Sequence, residues 1–248
     1  MKKMITFSLM WLLVSALFGQ VPNWDKILAD IDSQANFDNI DFSARYTVVS
    51  SRPGQDNSVI VARIFRRDRE EKMTILISDP PAQRGQGYLQ IGDSLWFYDP
   101  ESREFAFSSF KESFQNSDAQ NSDFTRSSLR EDYRVTEHED GKLGRFDVWI
   151  ATLDAVNNAV PVPRRKMWIR KDNNLILKVE DYSVSRRLLR TMLFPSYQSV
   201  QGRFIPTRFV IEDALRQGEK TQITIEEPSI APIPDSVFRR EYLERVSR

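Results

Sequence analysis

The sequence carries few side chains that could do covalent or metal chemistry. It has one histidine and no cysteine in 248 residues, which excludes a disulfide, a zinc–thiolate site and a cysteine nucleophile. His138 lies in the charged run Glu137-His138-Glu139-Asp140-Gly141, which is typical of a solvated hairpin end. A Ser-His-Asp triad stays open by residue count, but the sequence has no Gly-x-Ser-x-Gly nucleophile elbow and no Gly-rich phosphate loop. The sequence therefore predicts no catalytic residue, no metal and no cofactor.

The charge balance also limits the possible partners. Basic and acidic residues number 35 each, so the chain lacks the excess positive charge with which proteins neutralise nucleic-acid phosphates. We expect no nucleic-acid partner. Arginines cluster at Arg63, Arg66, Arg67 and Arg69, where two interpretations are open. They could bind an anionic surface, or they could form the solvated outer face of a sheet and pair with neighbouring acids.

Aromatic residues are the more informative feature, with 5 Trp, 7 Tyr and 16 Phe. They could fill an ordinary core, or they could line an apolar concavity of the kind that binds small molecules or lipids. Two pairs share a strand face because strand residues two or four apart point the same way. The candidate cavity residues are these two pairs and two residues of a leading helix: Phe42, Tyr46, Trp96, Tyr98, Trp24 and Ile27.

The elements that would position these residues can be read from hydrophobic periodicity. Trp24 to Asn36 has helical spacing, and from Ile40 to Val48 apolar and polar residues alternate, as in a half-buried strand. Similar runs recur along the chain between turn signals such as Gly92-Asp93 and Asp140-Gly141. We expect about ten hairpin-linked strands, in a barrel or one strongly curved antiparallel sheet, and a short closing helix within Pro234–Arg248.

One long segment interrupts this pattern. Residues 108–131 are rich in Ser, Asn and Asp but also contain Phe110, Phe114 and Phe124. A plain surface loop would not need three phenylalanines, so the segment is predicted to fold back onto the sheet. These three residues are our candidates for a movable lid.

The N-terminus has the pattern of a secretory signal. Lys2 and Lys3 precede an apolar run from Ile5 to Phe18, and cleavage could follow Ala16 or Gly19. An uncleaved membrane anchor is the alternative, but the run is shorter than the about 20 residues that a spanning helix needs. We assign residues 1–19 to a cleavable signal peptide and residues 20–248 to a single exported domain, which cannot be lipidated at an N-terminal cysteine.

Two motifs resemble the outer-membrane lipoprotein-sorting family, the relatives of the periplasmic carrier LolA. The first runs from Asp79 to Pro100 and matches a proline-containing entry, an Arg-Gly, a Gly-Tyr-Leu and a Leu-Trp-x-Tyr-x-Pro. The second is a Ser-Asp-Phe followed by an acidic-aromatic pair at Asp132-Tyr133. The matched residues are Pro81, Gly85, Gly87, Tyr88, Leu89, Trp96, Tyr98, Pro100, Ser122, Asp123 and Phe124.

The resemblance implies a fold and a function. The fold is mainly β, an unclosed antiparallel β half-barrel covered by short helices around an apolar cavity, and it extends over the whole domain of residues 20–248. The implied function is a non-enzymatic, monomeric periplasmic carrier. Its cargo is a lipid or an acylated lipoprotein, received from an inner-membrane donor complex and passed to an outer-membrane acceptor. A lipid-responsive sensor or interaction module of the same fold is the alternative, and a secreted hydrolase is a third possibility.

Overall fold

The first element, α1 (Trp24–Ala35), is the amphipathic helix that the spacing predicts. The structure, a computed structural model, describes residues 22–247, so the predicted signal peptide lies outside the described residues. The Asn23 side chain caps α1 by accepting the N–H of Lys26 at 3.0 Å, and Leu28 and Ile31 are its buried residues. Between residues 22 and 247 no helix is long and apolar enough to cross a membrane.

The strands form two antiparallel meanders. The first contains β1 (Phe42–Ser51), β2 (Ser58–Arg67), β3 (Lys72–Asp79), β4 (Gly87–Ile91), β5 (Ser94–Asp99) and β6 (Glu104–Ser108). A single helical turn, α2 (Leu129–Asp132), precedes the second. That meander contains β7 (Tyr133–Leu143), β8 (Phe146–Ala155), β9 (Arg164–Arg170), β10 (Ile176–Tyr182), β11 (Leu188–Val200), β12 (Arg203–Asp213) and β13 (Lys220–Ser229).

The two meanders join through the first and the last strand. β1 pairs with β13, with Tyr46 opposite Ile225 and Val48 opposite Ile223, so that all thirteen strands form one antiparallel sheet. The order is β6-β5-β4-β3-β2-β1-β13-β12-β11-β10-β9-β8-β7, which leaves β6 and β7 at the two edges. The sheet is therefore not closed into a barrel. This confirms the expected mainly β, unclosed architecture, with thirteen strands where about ten were expected.

One predicted turn is wrong. Asp140-Gly141 lies inside β7, paired with Trp149 and Val148 of β8, and the chain turns instead at Gly144, where φ is +58°. At Gly141 a Cβ would approach the Cδ1 of Ile150 to 2.5 Å, so a larger residue there would displace that side chain. His138 consequently lies within an exposed edge strand and not at a hairpin end.

The concave face of the sheet holds the main core. Residues 109–128, which we call the plug, fold into this concavity from the end of β6. A wide curved sheet exposes an apolar face that must be covered, and the plug and α1 cover it from one side. The predicted return of this segment onto the sheet is confirmed.

The chain ends on the outer, convex face. A single turn at Asp235–Phe238 leads into α3 (Arg240–Val246), which confirms the predicted closing helix. The fully buried Leu243 of α3 packs with Leu89 and Tyr98 of the sheet. Asp235 pairs with Arg67 of β2, and no side chain caps the start of α3.

The arginine cluster at the end of β2 lies in two environments. Arg63 and Arg69 are partly exposed and pair with Glu227 and Asp41 at 2.8 and 2.9 Å, as the outer-face interpretation predicts. Arg66 and Arg67 are both buried, and they pair with Asp68 at 2.6 Å and with Asp41 at 3.0 Å. Arg67 also donates to the main-chain oxygen of Ile233 at 2.5 Å, which fastens the C-terminal tail to the sheet. These two buried guanidiniums are therefore structural cross-links, neither solvated nor free for an anionic partner.

Candidate functional site

An apolar cavity of about 280 Å³ lies between the concave face of the sheet and the segments that cover it. Five neighbouring strands of the second meander and β1 form its floor, and α1, the plug and α2 supply its cover. Aliphatic, aromatic and methionine side chains dominate the floor: Phe42, Tyr46, Met167, Val179, Met192, Phe194, Ile205, Phe209 and Ile225.

Two of the predicted cavity residues lie on this floor. Phe42 and Tyr46 of β1 face the cavity because their alternation with polar residues places them on the concave side. Phe42 stacks on Phe37, with the ring centroids 4.1 Å apart. Burial raises the pKa of the Tyr46 hydroxyl to about 12. The hydroxyl is thus neutral at ordinary pH and adds no charge to the floor.

The other half of the floor was missed by the sequence analysis. Met192 and Phe194 come from β11, and Ile205 and Phe209 come from β12. Phe194 stacks on Phe209 with their centroids 5.6 Å apart. The signal that could have found the β12 residues is the period-two spacing of Ile205, Phe209 and Ile211, which Thr207 interrupts and which is therefore weaker than that of β1.

The predicted residues of α1 do not line the cavity. The Trp24 ring lies 5.3 Å from His138 of the edge strand β7 and 6.2 Å from Trp149 of its neighbour β8, and Ile27 packs at the border of the core. The helix runs from that edge to the start of β12, where Arg203 donates to the main-chain oxygen of Ser33 at 2.7 Å. Only the last turn of α1 reaches the cavity, through Gln34 and Ala35.

Trp96 and Tyr98 do not line the cavity either, because they lie on the opposite face of the sheet. In the pairing of β4 with β5, Trp96 is opposite Leu89 and Tyr98 is opposite Gly87, and cross-strand partners share a face. That face is the outer one, under Leu243 of α3. Their neighbours Tyr88 and Phe97 point into the concave core instead.

The glycines of the first sequence motif lie on this outer face, where α3 packs against the sheet. A Cβ on Gly87 would approach the Cδ2 of Leu243 to 2.7 Å, and one on Gly85 would approach the Cβ of Ser247 to 2.9 Å. Gly85 also has a φ of +86°, which glycine adopts without strain. Pro81 begins a single turn after β3, and Pro100 lies in the turn between β5 and β6. The glycines thus form the surface on which α3 docks.

The second motif belongs to the plug. Phe114 and Phe124 are 0 % and 2 % exposed, and their ring centroids lie 4.6 Å apart. Phe114 also packs on Tyr88 at 5.4 Å, while Phe110 is only partly buried at the border of the core. Ser122 and Asp123 border the cavity itself. The lid candidates therefore occupy the concavity beside the cavity, as apolar filling.

A buried ion network fastens the plug to the sheet. Asp123 of the plug receives two hydrogen bonds from Arg190 of β11, at 2.7 and 2.8 Å. Arg190 also donates to Asp181 at 2.9 Å, and Arg165 donates to the same carboxylate at 3.0 Å. Burial works to raise the pKa of Asp181, but the two guanidiniums outweigh it and hold that pKa below its ordinary value. Asp181 and its two arginine partners are therefore ionised near neutral pH.

The chemistry available at this site is apolar binding. Its apolar floor offers dispersion contacts and burial to an apolar ligand. Arg165 and Asp123, which border it, are held in the ion network. Across residues 22–247 there is no group of three or more His, Cys, Asp or Glu side chains that could hold a metal ion.

Comparison with solved structures identifies the fold. A LolA superfamily protein from Nitrosomonas europaea superposes with a TM-score of 0.77 at 24% identity, covering 88% of this chain and 97% of that one. A proposed outer membrane lipoprotein-sorting protein domain from Vibrio parahaemolyticus gives a TM-score of 0.78 at 19% identity, covering 89% and 98%. A DUF1329 family protein from Desulfovibrio piger gives 0.78 at 20% identity, covering 88% and 97%.

Sequence comparison adds a family. None of the curated proteins matches the chain. The family model that matches, over residues 69–245, is described as "-like: Uncharacterized protein". The structural likeness confirms, at the level of fold, the resemblance that the two sequence motifs indicate. The chain therefore belongs to the family whose model matches residues 69–245, and its fold is that of the LolA superfamily and of outer membrane lipoprotein-sorting domains.

Proposed function

We propose that this protein is a non-enzymatic periplasmic carrier that binds the acyl chains of lipoproteins or other lipids and delivers them towards the outer membrane. The observation that carries the proposal is the apolar cavity on the concave face, covered by α1 and the plug, in a fold shared with lipoprotein-sorting domains. Phe42 and Tyr46 would contact the acyl chain, together with the aromatic and methionine side chains of β11 and β12.

The energetics suit this role. Burial of an acyl chain is worth about 0.8 kcal/mol per CH₂ group, so a 16-carbon chain would gain roughly 10 kcal/mol before losses. The cavity has a volume of about 280 Å³. This is just below the range of about 300–1,000 Å³ that is usual for ligand pockets. A long chain would therefore need more room, which the plug would supply by moving out of the concavity.

The plug would in that case act as the lid. Phe114 and Phe124 fill space beside the cavity, and their departure would leave an apolar volume for the cargo. An inner-membrane donor complex would load the carrier, an outer-membrane acceptor would unload it, and the carrier itself would act as a monomer.

The test is uptake of a fluorescent 16-carbon fatty acid by the protein without residues 1–19. We expect saturable binding at one site, with displacement by unlabelled palmitate and a blue-shifted emission from an apolar environment. Absence of saturable uptake by a folded sample would refute the carrier function, and the cavity would then be a packing defect of the core.

A further inference from the structure

The two edges of the sheet differ in how they are protected against pairing with another chain. β7 has a register shift between Val135 and Glu137, and its exposed residues 137–140 are all ionisable. Charges and irregular pairing are devices that usually prevent an edge strand from adding a further strand. β6 has neither device over Phe105-Ala106-Phe107, where its register with β5 is regular. β6 is therefore the open edge of this sheet.

The main chain of β6 has hydrogen-bonding capacity that its neighbour does not use. β5 pairs with one side of β6, and within residues 22–247 no strand pairs with the other side. In an antiparallel ladder, alternate residues direct their N–H and C=O groups towards each side of the strand. A row of such groups along β6 therefore faces outward, and an extended segment is the structure that pairs with it.

Aromatic side chains accompany this open edge on the outer face. Phe107 is opposite Trp96 and Phe105 is opposite Tyr98, so all four share that face. Phe107 is 79 % exposed, and its ring centroid lies 5.5 Å from that of Trp96. A strand added beside β6 would cover the Phe107 ring, and burial of that apolar area would stabilise the complex.

One guanidinium lies over these aromatic rings. The Cζ atom of Arg240, at the start of α3, is 5.0 Å from the Trp96 ring centroid and 5.1 Å from the Phe105 ring centroid. Arg240 is exposed, and in the described part of the chain it makes no ion pair. The two rings hold the guanidinium in place, while its N–H groups are available to a carboxylate. The edge thus combines main-chain pairing, apolar contact and one positive charge.

We propose that β6 binds an extended segment of a partner protein, which adds a further antiparallel strand to the sheet. The segment has an apolar residue opposite Phe107, where it covers the exposed ring. Two positions later it has an acidic residue opposite Phe105, where its carboxylate reaches the Arg240 guanidinium that lies on that ring. The site is on the outer face, so the inference is independent of the acyl cavity and goes beyond the proposed carrier function.

A second copy of this chain lacks that pattern. In a symmetric antiparallel pairing about Ala106, each copy would place phenylalanine opposite Phe105 and Phe107, and its Glu104 would lie on the other face of the sheet. No acidic residue of the second β6 would then reach Arg240. Charge complementarity therefore favours a different protein as the partner.

The test titrates the protein without residues 1–19 into fluorescein-labelled Thr-Val-Thr-Val-Thr-Glu-Thr-amide and follows the fluorescence anisotropy. When this peptide pairs antiparallel with β6, its second valine lies opposite Phe107 and its glutamate lies opposite Phe105. Two further peptides carry N-methyl groups, one on the valines and the glutamate and the other on the threonines. Because only one of these sets directs its N–H groups towards β6, we expect one N-methylated peptide to lose binding and the other to retain it.

Two variants test the side-chain contacts. Phe107→Ser should weaken binding of the peptide at least about tenfold, because the apolar contact is lost. Arg240→Gln should also weaken it about tenfold, but should not change binding of a peptide in which glutamine replaces the glutamate. Val184→Ser and Arg187→Gln, at exposed residues between β10 and β11, are the matched controls and should change nothing. All four replaced side chains are exposed, so each variant should keep the thermal unfolding midpoint of the unaltered protein.

The other outcomes overturn the proposal. Absence of saturable binding up to about 1 mM peptide refutes the docking edge. Equal behaviour of the two N-methylated peptides, or unchanged affinity in Phe107→Ser, refutes it as well. Equal effects of Arg240→Gln on the glutamate and glutamine peptides refute the acidic residue of the pattern. In sedimentation velocity, a mass of two chains that Phe107→Ser returns to one chain would assign this edge to a second copy and not to a partner protein.

Discussion

The two faces of this sheet offer different environments to aromatic side chains, so single substitutions can distinguish the cavity from the outer face. Phe194 borders the cavity and is only partly buried, whereas Trp96 is packed beneath the C-terminal tail. Phe194→Gln places an amide where an acyl chain would lose contact and leave a polar group unpaired. We expect at least about tenfold weaker binding of a 16-carbon fatty acid, measured by titration, which corresponds to about 1.4 kcal/mol.

Trp96→Gln is the matched control for that measurement. The same substitution type on the outer face should leave the affinity for the fatty acid unchanged. Equal losses of affinity in both folded variants would show that the cavity described above is not where the ligand binds.

The buried carboxylate Asp41 makes a second residue-level prediction. Burial works to raise its pKa, but hydrogen bonds from Arg67, the Ile233 N–H and Arg69 outweigh it and lower the pKa from 3.8 to about 2. A folded-state pKa below the unfolded value stabilises the protein above pH 4, and this contribution, about 2 kcal/mol, is lost as pH falls from 4 to 2.

We expect Asp41→Asn to lower the free energy of unfolding at pH 7 and to flatten its dependence on pH between 4 and 2. Urea unfolding at a series of pH values measures both quantities. Asp56→Asn, in the exposed β1–β2 loop, should reproduce the original pH profile. An unchanged slope in Asp41→Asn would mean that this ion pair is not a source of acid sensitivity.

The sequence could predict the orientation of some of these residues but not of others. Phe42 and Tyr46 alternate with Ser43 and Arg45, so polarity alone assigns their face. In β5 the three consecutive residues Trp96, Phe97 and Tyr98 are all aromatic, and polarity does not distinguish the faces. Only the docking of α3 on one side decides which aromatic residues are outside.

At the scale of elements, two buried carboxylates of the plug bond the sheet: Asp123 pairs with Arg190 of β11, and Asp118 accepts the hydroxyl of Thr221 of β13. Asp123→Asn removes one of the two carboxylates that pair with Arg190 and leaves the other, Asp181. We expect the amides of residues 113–124 to exchange with solvent about tenfold faster, and fatty-acid uptake to accelerate in parallel. Hydrogen–deuterium exchange and stopped-flow fluorescence measure the two effects.

Asp172→Asn, in an exposed ion pair with Arg170, is the control for the plug and should alter neither rate. Faster exchange without faster uptake would show that the plug opens but does not limit entry of the ligand.

For the C-terminal tail we expect the opposite result, a loss of stability without a loss of ligand affinity. Leu243→Ala removes the fully buried contact of α3 with Leu89 and Tyr98 and should cost about 2–5 kcal/mol of unfolding free energy. Affinity for a fatty acid should stay unchanged, because this contact lies on the face away from the cavity. Val246→Ala, at an exposed residue of the same helix, controls for helix propensity; a loss of affinity in Leu243→Ala alone would link the tail to the cavity.

Elements were predicted better than their contacts. The spacing of Trp24, Leu28 and Ile31 is local, and α1 begins and ends within one residue of its predicted range. The pairing of Asp123 with Arg190 joins residues that are 67 apart, and no local pattern carries that information. The presence of three phenylalanines in a polar segment indicated that the plug packs inward, but not what anchors it.

At the scale of the whole molecule, the pairing of β1 with β13 joins the two meanders into one sheet with a continuous concave face. This pairing joins the two ends of the chain, so hairpin signals could predict a meander but not the order of the strands. The distinction between a closed barrel and an open sheet came from the family resemblance. The unclosed sheet leaves the concavity open to α1 and the plug, which is the arrangement that a removable cargo would need.

Native mass spectrometry of the protein purified from its source cells without detergent tests the central claim most directly. A carrier should retain a bound mass that corresponds to a lipid or an acylated peptide, and the Phe194→Gln variant should retain much less of it. A protein that is free of bound mass, and that also takes up no added acyl probe, would contradict the carrier function.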